Sequence, residues 1–488
     1  MMHAIEQRRL QVSARTERYK KSELGQFMTP ARTATFMASL FPQSSFKKCR
    51  LLDPGAGIGS LSGAFLERWV SGGFNFSSLD LTAFEIDERL QPELEKTISY
   101  YKIKCQINEK DLQFKDFIEE AVNRIQFRFG LGFTHAILNP PYKKIGGISR
   151  PRHLLRAAGI ETVNLYSAFV ALSLELMTEG GFLVAIIPRS FCNGPYYAKF
   201  REFILERSAI RRLHLFGSRN KAFRDDGVLQ ENIIVMLERG GTPEQITIST
   251  STDDSFKDLT IHLHPFNEII HHDKGHLIHV PVLENGAEKI SPIARFSLKD
   301  LGIMVSTGPV VDFRLEKHIY KVPGPGTVPL LYPGHFNGFS VVWPKIWAKK
   351  PNAISRNIDT EKWLYPNGFY CVVRRFSSKE ERRRILASVV KPFKDVEAIG
   401  FENHLNVFHE NKRGLPETLA RGLAVFLNTT AVDEHFRRFS GHTQVNANDL
   451  RLIKYPSRED LVALGAWTIK QKEITQEMID KLFKELAV

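Results

Sequence analysis

A doubly wound α/β sheet over residues 25–250, followed by a mixed α+β domain over 301–488, is the fold that this sequence predicts. Short apolar runs of strand type alternate with helical periodicity throughout 25–250. A glycine-rich turn stands between the first such strand and the helix after it, where open α/β sheets hold their ligands. From Leu301 onward the chain is instead richer in aromatic residues, prolines and basic side chains.

The 488 residues exceed one ordinary domain and suggest about two or three. A formal charge of +13 and a pI near 9.4 favour an anionic partner. Residues 301–488 hold 28 Lys and Arg against 20 Asp and Glu, so the C-terminal part is the more basic per residue. Cys49, Cys105, Cys192 and Cys371 lie far apart with no C-x-x-C, which indicates neither a zinc knuckle nor a disulfide framework and fits a reducing cytoplasm. Residues 1–21 lack the apolar core of a signal peptide, and no run is long enough to cross a bilayer. Membrane is set aside, and nucleic acid leads.

Residues 3–22 read as a polar, basic, surface-lying helix within an N-terminal segment 1–24. Gly25-Gln26-Phe27-Met28-Thr29-Pro30 leads into a helix over 31–40, with Thr29 as its N-cap and Pro30 in its first turn. Leu51 and Leu52 close a strand that runs into Asp53-Pro54-Gly55-Ala56-Gly57-Ile58-Gly59 and a helix over 60–70. Glycines at 55, 57 and 59 let the backbone approach a ligand closely. The spacing is G-x-G-x-G after an acidic residue, unlike the G-x-G-x-x-G that suits a pyrophosphate, and Asp53 would welcome an amine. A second strand, 79–84, ends in Glu85, placed to accept both hydroxyls of a ribose. A helix over 89–101 and a strand over 103–107 follow, after which Asp111 reads by itself as a solvated loop carboxylate, though one able to accept from an adenine amine.

A fourth strand, 134–138, delivers Asn139-Pro140-Pro141-Tyr142. The prolines stiffen the backbone, so the side-chain oxygen of Asn139 and the carbonyl of Pro140 form a fixed pair of acceptors for the two hydrogens of an exocyclic amine. Tyr142 offers a flat face for a planar ring. Residues 143–159 read as a mobile basic loop, 164–179 as an apolar helix stopped by Gly180-Gly181, and 182–187, 210–215 and 232–237 as strands, with a helix over 198–206. Phe223, between the last two strands, is the aromatic chosen over Phe216 to stack on a ring held by the tetrapeptide.

Residues 251–300 read as a boundary. They hold six of the sixteen histidines, but without the tight spacing of metal ligands, so no metal site is expected. Further on, Arg374-Arg375-Phe376 and Arg382-Arg383-Arg384 supply charge for phosphates, and Gly441-His442-Thr443-Gln444-Val445-Asn446 is a polar turn suited to base edges. An amphipathic helix over 470–488 closes the chain.

In this order and spacing, GQFMTP, DPGAGIG, FEID, NPPY and a later aromatic resemble the gamma group of N6-adenine DNA methyltransferases, most nearly the modification enzymes of PstI/BsuBI-type restriction systems. The YPGHF and GHTQVNANDL stretches resemble that group's target-recognition domain. The resemblance implies a Rossmann-like methyltransferase sheet, S-adenosylmethionine as cofactor and a flipped adenine in double-stranded DNA as substrate. It implies that Thr29, Asp53, Gly55 and Gly57 hold the methionine part, Glu85 the ribose and Asp111 the adenine, with Asn139 touching both cofactor and target. Asn139, Pro140, Tyr142 and Phe223 would be the catalytic set. With no room ahead of residue 25 for a nuclease, a separate cognate endonuclease is expected, and the chain is read as acting as a monomer in the cytoplasm. An RNA adenine or a protein-glutamine methyltransferase with the same tetrapeptide is the alternative.

Overall fold

The computed structural model describes residues 1–15, 28–105, 107–216, 231–271, 276–278, 280, 293–345, 350–377, 381–439 and 444–486. They form two compact units, Met1–Val282 and Leu283–Val488. The division falls inside the 251–300 stretch, but the N-terminal sheet itself runs into that stretch, as far as His264.

The first unit is built on a nine-stranded sheet. Its strands are β1 (Lys48–Pro54), β2 (Ser78–Phe84), β3 (Ile107–Gln113), β4 (Phe133–Leu138), β5 (Met177–Pro188), β6 (Ser208–Phe216), β7 (Asn232–Arg239), β8 (Ile246–Ser251) and β9 (Thr260–His264), in the order β3-β2-β1-β4-β5-β7-β6-β8-β9. The helices are α1 (Met2–Arg15), α2 (Ala31–Leu40), α3 (Ser60–Val70), α4 (Gln91–Lys104), α5 (Phe117–Phe127), α6 (Arg150–Ala157), α7 (Leu165–Leu176) and α8 (Ala198–Arg207). Apolar residues of α2, α3 and α4 pack on one face of the sheet, and those of α5, α7 and α8 on the other, so the fold is doubly wound.

β1 to β5 are parallel, while β7 runs antiparallel between β5 and β6. The sheet is therefore mixed, where the alternation of elements alone suggested a wholly parallel one. β4 is buried at every residue, which places the tetrapeptide after it at the centre of the sheet. Strand order reverses between β1 and β4, the place where such sheets open a crevice.

Three local expectations are corrected. The third strand is 107–113 rather than 103–107: Ile103 is 89% exposed, and the polar edge strand INEKDLQ carries no apolar run to announce itself. The helix α7 ends at Leu176, so Gly180 and Gly181 lie within β5 rather than stopping a helix. The 143–159 stretch contains a helix, α6, pinned through Arg152 to Glu161.

The second unit holds a six-stranded sheet in the spatial order Met304–Thr307, Leu405–His409, Tyr370–Arg374, Ala387–Val390, Ser340–Val341, Phe336–Asn337. A five-stranded sheet and helices, including Glu417–Leu427 and Arg458–Ile469, complete a mixed α+β core. The closing helix is Gln476–Leu486. Here charge in the sequence is not all charge on the surface. Arg384 is fully buried, donating to Ser377 Oγ at 3.2 Å and lying over the Phe436 ring, and Arg383 donates to the Thr429 carbonyl at 2.9 Å. Of that triplet only Arg382 is exposed. In the YPGHF stretch, His335 is buried and closes its own turn on the Tyr332 N–H at 3.0 Å.

Candidate active site

The carboxyl ends of β1, β2 and β4 and the segment after β3 surround a cavity of about 250 Å³. It is lined by the glycine turn after β1, by Glu85 after β2, by Asp116 and Phe117 after β3, and by Asn139 and Pro141 after β4. Thr29 and Phe169 close its sides.

The glycine turn is shaped by two different demands. Gly57 has φ 58°, and a Cβ there would meet nothing within 4 Å, so the left-handed turn, and not packing, calls for glycine. At Gly59, with φ 84°, a Cβ would press on Leu94 and Thr97 of α4 at 3.1 Å. Helix packing therefore selects that glycine.

Asp53 sits beneath this turn. It is 0% exposed, absent from the cavity wall, and its Oδ2 takes the Ser62 hydroxyl at 2.6 Å. The expectation that it faces a ligand gives way to a role as anchor between β1 and α3. Burial, only partly opposed by the Ser62 hydrogen bonds, pushes its carboxyl up to about 7. Such a raised value stabilises the fold at low pH and loses that contribution as pH rises through the folded value. Asp53→Asn keeps an acceptor for Ser62 and removes the charge. Its melting temperature relative to the parent should therefore climb between about pH 4 and pH 8. A flat difference in thermal unfolding across that range would refute the buried-anchor assignment.

Glu85 is 4% exposed and lines the cavity, with Oε2 accepting the Gly57 N–H at 2.8 Å and Oε1 the Asp87 N–H at 2.7 Å. Burial raises its carboxyl above the ordinary range, against the pull of these two N–H groups. One side chain thus ties the ends of β1 and β2 together and still presents lone pairs to the cavity.

Asp111 does not reach this cavity. It lies within β3, opposite Thr82 of β2, and its carboxylate meets Gln113 and, at 3.6 Å, Arg124. The acidic residue that follows the strand and lines the cavity is Asp116. Its Oδ1 caps α5 by accepting from Ile118 N at 2.7 Å and Glu119 N at 3.2 Å, while Oδ2 makes no hydrogen bond among the described residues. The sequence held a signal for it: an Asp directly before a helical run with Phe117, Ile118, Ala121 and Val122 on one face.

At the tetrapeptide, Asn139 Nδ2 donates to Thr29 Oγ1 at 3.0 Å, and Tyr142 Oη lies 3.0 Å from Asn139 Oδ1 and 3.1 Å from the Ile186 carbonyl. The phenol has one proton, and burial holds it on by raising its pKa. An amide oxygen carries two lone pairs, so Asn139 Oδ1 has acceptor capacity beyond the Tyr142 hydroxyl. Pro140 is buried, and its carbonyl accepts no hydrogen bond among the described residues. The Tyr142 ring is held edge-on by Tyr166, with centroids 6.2 Å apart. Thr29 is not the N-cap of α2: Pro30 holds that position, and Thr29 Oγ1 serves Asn139 instead. Phe223 lies outside the described residues, as do Gly441, His442 and Thr443. Gln444 accepts from Arg375 at 3.3 Å, and Asn446 caps the helix Ala447–Leu452.

Comparison with known proteins shows the family. Residues 8–223 match the family described as Eco57I restriction-modification methylase. The type II methyltransferase M.BsuBI of Bacillus subtilis is 52% identical over 479 residues, covering 96% of this chain and 95% of that one. M.PstI of Providencia stuartii is 42% identical over 475 residues, covering 95% and 93%. Among solved structures, the DrdV–DNA complex aligns with a TM-score of 0.52 at 12% identity, over 92% of this chain and 57% of that one, a likeness of fold. With such identity over nearly the whole of both chains, this protein belongs to the type II methyltransferases of restriction–modification systems that include M.BsuBI and M.PstI.

Proposed function

We propose that the protein transfers the methyl group of S-adenosylmethionine to N6 of a flipped-out adenine at a specific site in double-stranded DNA, as the modification half of a restriction–modification system. The observation that carries this reading is the place of the tetrapeptide: Asn139 and Pro141, on proline-stiffened backbone after β4, line the same largely apolar cavity as the carboxylates of Glu85 and Asp116.

The residues present fit the cofactor. Glu85 would take the ribose hydroxyls, Asp116 Oδ2 the adenine amine, and the open face of the turn at Gly57 the methionine part. When bound, S-adenosylmethionine supplies an electrophilic methyl group on a sulfonium. The protein's task is then at the amine. The N6 lone pair of adenine is delocalised into the ring, and two acceptors drawing on its N–H bonds return it towards nitrogen. Asn139 and Pro140 also fix the amine's position, which supplies much of the acceleration. No residue need form a covalent bond. The base must leave the duplex stack at a cost of about a few kcal/mol, and stacking on Tyr142 offsets part of it.

The second unit is read as the target-recognition domain, and a separately encoded endonuclease as the partner activity of a methyltransferase that works as a monomer. Labelled methyl transfer to duplex DNA, to RNA and to protein, with the modified base identified by mass spectrometry, tests the reading. N6-methyladenine in DNA is the expected product, and label in RNA adenine or protein glutamine would transfer the same site to another substrate.

The assignment of Asp116 carries its own test. Asp116→Ala should weaken cofactor binding about ten- to a hundredfold, the loss of one hydrogen bond to a charged group. Asp111→Ala should change it less than about threefold, because Asp111 does not line the cavity. Calorimetric titration with the cofactor separates the two, and the reverse ranking would return the role to Asp111.

A further inference from the structure

The basic N-terminal helix was expected to lie free on the surface, and the structure gives it contacts on both walls of the cavity. Ile5 is fully buried against Ile58 and Leu90, both of which line the cavity. Arg8 donates to Thr97 Oγ1 at 3.1 Å, and that hydroxyl in turn donates to the Ile58 carbonyl of the glycine turn at 2.8 Å. Glu6 Oε2 accepts the Ala31 N–H at 2.8 Å. Ala31 begins α2, whose N-cap, Pro30, has no side chain to satisfy that donor. A carboxylate also complements the positive end of the helix. Glu6 is itself held by Arg9, 1% exposed, whose guanidinium approaches to 2.7 Å.

We propose that Glu6 of α1 is a positioning residue for methyl transfer, acting through Thr29 on the amide of Asn139. The inference rests on the reading of Asn139 as the amine clamp. Thr29 and Ala31 are separated only by Pro30, whose backbone is stiff at φ −59° and ψ 147°. Fixing the Ala31 N–H therefore fixes Thr29 Oγ1, which receives Asn139 Nδ2. That contact decides which end of the amide meets the target. An Asn139 turned over would point its NH₂ at the substrate's own NH₂, donor against donor. Arg8 serves the other wall, so the same helix separates two functions by residue: Glu6 orients the clamp, and Arg8 steadies the cofactor's turn.

Saturating cofactor and single-turnover transfer on duplex DNA, combined with cofactor titration and thermal unfolding, test this. Glu6→Ala should lower the transfer rate about ten- to a hundredfold with cofactor Kd changed less than about threefold, since small misplacements at a reacting centre cost that much. Glu6→Gln, which keeps an acceptor for Ala31, should recover most of the rate and serves if the alanine variant does not fold. Arg8→Ala should weaken cofactor binding and leave the saturated rate near that of the parent. In a cycle with Thr29→Ala, the loss from Glu6→Ala should be non-additive. A Glu6→Ala protein with an unchanged rate, or one in which a lower rate comes together with much weaker cofactor binding and a lower melting temperature, overturns the proposal. Asn139→Ala run in parallel separates the levels: if it retains transfer, the clamp reading itself fails, whereas if it is inactive beside a fully active Glu6→Ala, only the role of Glu6 fails.

Discussion

Asn139→Ala is expected to lower the rate of methyl transfer by about a hundred- to a thousandfold, the usual cost of removing one preorganised hydrogen-bonding group at a reacting centre. Cofactor affinity should change less than about threefold, because Glu85 and Asp116, not Asn139, carry the polar contacts proposed for the cofactor. The loss has a specific origin. With only the Pro140 carbonyl left, one N–H of the target amine has no acceptor, the lone pair stays in the ring, and the amine is free to swing. Asn139→Asp refines the test. The carboxylate keeps an acceptor for the amine but gives up the Nδ2 donor to Thr29, so the loss should lie between those of alanine and the parent. Single-turnover transfer with saturating cofactor is the measurement. Transfer by Asn139→Ala within about tenfold of the parent would mean that the tetrapeptide does not hold the reacting amine.

Glu85→Ala should act on the other half of the reaction, weakening cofactor binding about a hundred- to a thousandfold, or roughly 3–4 kcal/mol. Two losses combine. The Gly57 and Asp87 N–H groups lose their acceptor in a buried place, which costs about 1–3 kcal/mol for each group left unsatisfied, and the ribose hydroxyls lose theirs. Glu85→Gln keeps one acceptor oxygen and should cost less. At saturating cofactor the transfer rate should return to within a few-fold of the parent, because Asn139 and its neighbours are untouched. That split between binding and rate is the reverse of the one expected for Asn139, so a cofactor titration and a rate measurement on both variants distinguish the two assignments. An unchanged affinity in Glu85→Ala would remove the ribose role from this residue.

Much of this was legible in the chain before any coordinates. Apolar patterning placed β2 and β4 and the helix α3 within a residue, while β1, closed at Leu52 in that reading, runs on to Pro54. The glycine turn and the NPPY tetrapeptide were visible because special backbone demands select special residue types. β3 was displaced because it is a polar edge strand, and with it the carboxylate expected at the cavity was placed at Asp111, five positions before Asp116, which lines it. Arg384 was counted as surface charge although it is buried, since burial depends on what the fold lays over a side chain.

The local message of the sequence thus reached most of the pieces: several of the strands, the sharp glycine turn, and the acceptors that stand at a strand's end. What it could not contain was their assembly. Asn139 and Thr29 are 110 positions apart, yet a hydrogen bond joins the side-chain amide of one to the hydroxyl of the other. Glu6 caps a helix that begins 25 positions later. Asp53, the acidic residue most conspicuous in the sequence, is turned under the glycine loop and away from the cavity. Periodicity and turn chemistry act over a few residues and are written in order along the chain. The direction in which a carboxylate or an amide points is settled by partners that only the folded sheet brings within 3 Å.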